Sequence, residues 1–236
     1  MHAPTFLSEL QPLPAMALPS PRAVGNVADF VDMYIRYGTI PVWLLAGFAD
    51  WMCHRRTRIE ANAGAKESVM HIAQMLEVGI PLMVALVFQV NMTVILIMLA
   101  GLVLHEVTAL WDVSYARHLR DISALEQHIH SFLELLPICA VTLIVGANLA
   151  QIRDAIVGNA PQSFALTLSH VPLPYTAAVV VAAALFAGVP YAEELIRCLR
   201  YRRNPRRNTA ADPVANRADP RTRLDDNWAG GTSDER

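Results

Sequence analysis

Residues 105–130, HEVTALWDVSYARHLRDISALEQHIH, join the end of one long apolar segment to the start of the next. They read as the close of one helix, a short polar turn and the opening of a second. His105 and Asp112 are seven apart, and Glu126 and His130 are four apart, so each pair shares a helix face. Ionisable groups in segments apolar enough for a bilayer are costly and need partners. Two helices that each bring an imidazole and a carboxylate to a common turn make half of a metal site.

Working outward, the apolar segments set the fold class. The chain has 236 residues, of which 54% are hydrophobic, and this share is gathered into runs suited to spans of roughly 20 residues. The expected fold is therefore all-α and polytopic, with five transmembrane helices. Span one starts near Tyr34, passes Gly38 and Pro41, and closes on Asp50 and His54. The next three cover about 67–88, 90–116 and 125–149, and the fifth about 174–199. Residues 150–171 are more polar and suit a loop with a short interfacial helix. Proline-rich residues 1–28 read as a flexible N-terminal tail without the apolar core of a signal peptide. Residues 29–200 form the transmembrane helical domain, and 201–236, rich in Arg, Asn, Asp and Pro, a disordered cytoplasmic tail. Cys53, Cys139 and Cys198 form no CxxC pair, which argues against a disulfide framework or a thiolate zinc site.

Lys and Arg cluster at 54–66, at 117–121 and after the fifth span. The positive-inside rule then puts the N-terminus outside and the C-terminus in the cytoplasm, in a plasma (inner) membrane. The arginine-rich end suits anionic lipid, and nothing in it indicates nucleic acid.

With that topology the other half of the site appears. Asp50 and His54 end span one at the inner side, and Glu67 and His71 begin span two there. His105 and Asp112 approach that side along span three, and Glu126 and His130 leave it along span four. These eight residues are the expected metal ligands, in a four-helix bundle flanked by span five, with His128 and Glu60 in reserve. Glu77, Glu106 and Glu134 would orient metal-bound imidazoles from outside the ligand shell. Singly, each has a structural reading: Ser123 and Glu126 have capping-box spacing, and Glu67 suits a helix N-terminus.

Carboxylates and imidazoles without thiolate suit iron, manganese or zinc. In residue types and four-helix logic the pattern resembles the ferritin-like di-iron carboxylate bundles, which use Glu-x-x-His on paired helices. Here the pairs are Glu67-x-x-x-His71 and Glu126-x-x-x-His130, one residue longer. The resemblance implies two divalent metal ions, iron favoured, and an oxidoreductase taking a lipid-soluble substrate from surrounding membrane lipids, with an electron donor as partner. The histidine content is also similar to that of membrane desaturases and hydroxylases, though of their boxes only His128-Ile129-His130 is close. A zinc protease motif HExxH is broken at Ala109. A zinc-dependent lipid hydrolase using the same ligands, or a transporter or proton relay without metal, remain the alternative readings.

Overall fold

A computed structural model describes residues 27–158 and 164–203. The expected tails at 1–26 and 204–236 lie outside the described residues. Among those described, the chain is helical throughout: α1 (Val27–Tyr34), α2 (Ile40–Thr57), α3 (Gly64–Val87), α4 (Met92–Ala116), α5 (Ala124–Ala147), α6 (Leu149–Ile156), α7 (Leu173–Ala183) and α8 (Val189–Arg203). Wide π turns at Ile35–Thr39 and Ala184–Gly188 join α1 to α2 and α7 to α8 without breaking either rod. The first rod begins inside the expected tail, and α8 runs beyond residue 200.

Four helices are long and apolar enough to cross a membrane: α3, α4, α5 and the continuous Leu173–Arg203. Their outer faces confirm the class. Leu104, Val107 and Leu110 stand more than half exposed along α4, a stripe that a water-soluble monomer would bury. The chain is a membrane protein. The α1–α2 rod carries Asp50, His54, Arg55 and Arg56 in its last turns.

Packing is tightest between α3 and α4, with α2 against α5 and α8 against α3. Pro81 inside α3 cannot bond the carbonyl of Glu77, and the backbone of α4 closes on that carbonyl at Gly101. A Cβ on Gly101 would overlap both the Glu77 oxygen and the Pro81 ring, so only glycine permits this approach. Gly101→Val should lower stability by about 1–3 kcal/mol through overpacking. Thermal unfolding in detergent checks this; an unchanged transition would mean that the two helices do not meet there.

Two short links fix the end of the bundle that carries the charges. After α2, Arg58 turns left-handed (φ 54°), and Asn62 donates its side-chain amide to the Thr57 carbonyl at 3.0 Å. Ile59, wholly buried, packs with Ala63 and Cys198 and ties this link to α8. Before α5, Ser123 caps the helix by accepting from the Glu126 backbone N–H at 3.2 Å.

Candidate metal centre

α2, α3, α4, α5 and α8 all bring one end to the same place, and their ionisable side chains meet in its interior. His54 of α2 and His71 of α3 stack face to face, ring centroids 4.3 Å apart and planes within 10°. One carboxylate holds both. Glu194 of α8 accepts from His54 Nδ1 at 3.0 Å through Oε2 and from His71 Nδ1 at 2.8 Å through Oε1. An ionised carboxylate only accepts, so each Nδ1 carries the proton; Nε2 then donates to the acids while the ring is protonated, and offers a lone pair to a metal once it is neutral.

The Nε2 atoms face the acids. His54 Nε2 lies 3.4 Å from Glu126 and 3.5 Å from Asp50, and His130 Nε2 is 2.9 Å from the same Asp50 oxygen. His71 Nε2 lies 3.1 Å from Asp112 and 3.9 Å from Glu67. One ligand atom each from Asp50, His54, Glu126 and His130 falls within a mutual 4.8 Å, and so does one each from His54, Glu67 and His71. All of these residues but the half-buried His130 are buried, and this spacing is suited to holding a metal ion.

Arg120, from the α4–α5 link, closes the cluster. Its guanidinium donates to Glu67 at 2.6 Å and to Glu126 at 2.5 Å. Burial opposes its charge, but the hydrogen bonds to Glu126 and Glu67 hold its pKa above the ordinary arginine value. The cation is therefore permanent. Glu126 turns to Arg120 and His54, away from its own helix N-terminus; the cap is Ser123 alone, which corrects the capping-box reading.

A cavity of about 40 Å³ borders Asp50, His71, His105, Asp112, His130 and Tyr191, room for a water or two. His105 is buried on its wall, and neither ring nitrogen has a hydrogen-bond partner. It stands beside the cluster rather than in either tight group.

No family model, curated protein or solved structure matches this chain. The centre is therefore read from its own geometry.

The structure also relocates several expected roles. His128 packs its ring edge-on against Phe132 outside the cluster, and Glu60 pairs with Arg197. The carboxylate that bonds His54 and His71, a role expected of Glu77, Glu106 and Glu134, is Glu194. Glu77 instead accepts from the Thr108 hydroxyl at 2.8 Å. Nor does the fifth long helix merely flank the others, since it supplies that carboxylate. Glu194 lies three residues after Tyr191 and both are buried, but nothing local in the sequence separates it from the adjacent Glu193. Arg120 gave no signal apart from the neighbouring link residues Arg117 and His118, which are exposed.

Proposed function

We propose that this chain is a membrane-embedded metalloenzyme holding two divalent ions, iron favoured, near the cytoplasmic leaflet, and oxidising a lipid-soluble substrate. The observation that carries this reading is the pair of stacked imidazoles on one carboxylate. It turns both Nε2 atoms toward the acids, and the ring spacing of 4.3 Å is close to the ~3.5–4 Å between metals in two-metal sites. His54, Asp50, Glu126 and His130 would hold one ion; His71, Asp112 and Glu67 would hold the other.

Charge supports the count. Five buried carboxylates, Asp50, Glu67, Asp112, Glu126 and Glu194, face one buried guanidinium. With neutral imidazoles four negative charges remain, which two divalent ions would balance; without metal, protons on His54, His71 and His130 would offset three of them. Unbalanced, such a cluster would be expensive inside the protein. Oxygen and nitrogen donors without sulfur suit iron, which when bound supplies O2 and electron-transfer chemistry. The residues of the chain fix the ligands, bury them from water and keep a permanent cation beside two of the acids. An electron donor from outside the chain completes the reaction.

In this reading the α1–α2 rod is a fifth span and the N-terminus lies outside. The basic links at Arg55–Lys66 and Arg117–Arg120 and the end of α8 then share the cytoplasmic side. A reporter active only outside should work when fused at Asn91 and fail at Gly64; the reverse pattern overturns the orientation.

Ligand substitutions test the site itself. Glu126→Gln keeps the backbone N–H that bonds Ser123 but removes a charge, and His130→Ala leaves the cap untouched. Each should weaken metal binding by at least about tenfold while the protein still inserts, with the double variant losing less than the sum. Full metal content in both single variants would refute the proposal.

A further inference from the structure

A second cavity, of about 300 Å³, lies within the membrane-crossing part of the molecule. Its walls come from the α1–α2 rod, α3, α4 and α5, and are mostly aliphatic: Ile40, Leu82, Met98, Leu102, Leu136 and Val141 represent each side. The volume is at the lower end of the range for small-molecule sites, which are mainly apolar with a few placed polar groups.

Besides Glu77 of α3 and Asn148 after α5, its polar groups lie along the α1–α2 rod. Asp32 and Arg36, ion-paired at 2.5 Å, stand at one end beside the π turn Ile35–Thr39. Thr39 lies one turn further in, buried, with a hydroxyl that has no partner. Trp43 follows one turn on, and its indole N–H is also buried without an acceptor. Trp43 borders both this chamber and the smaller cavity at the metal centre. Asp50, seven residues beyond Trp43, is two turns or about 10 Å further along the same face. The chamber thus runs from a polar rim past two unpaired donors to Trp43, on whose other side lies the small cavity at the ligands.

π turns are frequent at functional sites because the wide turn re-aims side chains. Here the turn leaves Thr39 without the backbone acceptor that a buried threonine in a helix ordinarily finds. A mostly aliphatic chamber with two unpaired donors suits a ligand that is apolar along its length and carries oxygen near one end.

We infer that this chamber binds a single straight aliphatic chain bearing a polar oxygen group. The polar group lies by Arg36 and Thr39, and the tail passes Trp43 toward the centre. The inference rests on the two-metal reading for its chemical outcome, and its binding step can be tested apart from it.

The test uses the full-length protein in detergent with a saturated fatty alcohol carrying a diazirine at the chain end. On illumination, label should appear on Trp43 or Leu136, and unlabelled alcohol should compete it away. Ala85→Phe and Ala140→Phe fill the chamber from opposite walls, and each should abolish the label, whereas Val103→Phe on the lipid-facing surface should not. Label confined to surface residues such as Leu104 or Leu110, or surviving in whichever filled variant folds, would overturn the inference. Metal content measured on the same samples separates the two readings: a labelled chamber without metal defeats the metal centre alone, and metal without chamber label defeats the chamber alone.

Discussion

Glu194→Gln should weaken metal binding roughly 10–100-fold, although residue 194 is proposed to touch no metal. An ionised glutamate gives two acceptors, one to each Nδ1 of the stacked histidines. Glutamine gives one acceptor and one donor, so one imidazole must move its proton to Nε2 and lose the lone pair that faces the acids. Glu194→Ala should be more severe, since both rings lose their anchor. Competition with a chelator measures the effect, and helical content by circular dichroism controls for folding. Unchanged affinity in Glu194→Gln would show that the carboxylate is not what fixes the two rings.

Arg120→Ala should destabilise the metal-free protein by about 3–5 kcal/mol, because it leaves two buried carboxylates without their cation. Glu67 and Glu126 are respectively 1% and 0% exposed, so water cannot substitute for the guanidinium. Arg120→Lys keeps the charge but loses the fork that spans both acids, and should fall between. Saturating metal should narrow the gap, since bound cations neutralise the same carboxylates. Equal unfolding temperatures for Arg120→Ala and the parent, without metal, would mean that the clamp does not hold this end together.

How far the sequence disclosed this arrangement depends on the reach of each signal. Pairs four apart at the ends of apolar runs, Asp50 with His54 and Glu67 with His71, are local, and the side on which they emerge follows from the basic links. That logic brought together residues of four helices before any contact was visible. It failed where a contact depends on how a segment turns inward. Arg120 sits among exposed link residues and reads as one more topological charge, yet the link folds back so that its side chain is buried. Glu194 stands at the end of a span beside Glu193, which faces Trp51 and Arg55 near the surface. Which of two adjacent acids points inward depends on helix rotation, which no local pattern in that span sets. His105 is a different case: its depth in an apolar helix marks it as important, and it lines the small cavity with His71 and Asp112 while, like Asp112, standing outside both tight groups.

The α1–α2 and α7–α8 rods run through π turns, which a periodicity of 3.6 cannot anticipate. Four of the expected spans were legible because apolar length is a one-dimensional property, whereas the rotation of each helix about its axis is not.

The central claim is that the cluster is a two-metal centre. Elemental analysis of the protein purified from metal-replete membranes, with iron, manganese and zinc measured together, tests it most directly. The account predicts two metal ions per chain, mainly iron, falling sharply in Glu126→Gln and His130→Ala. A well-folded parent protein that carries no stoichiometric metal would contradict it and leave the histidines and carboxylates as a buried ionic network.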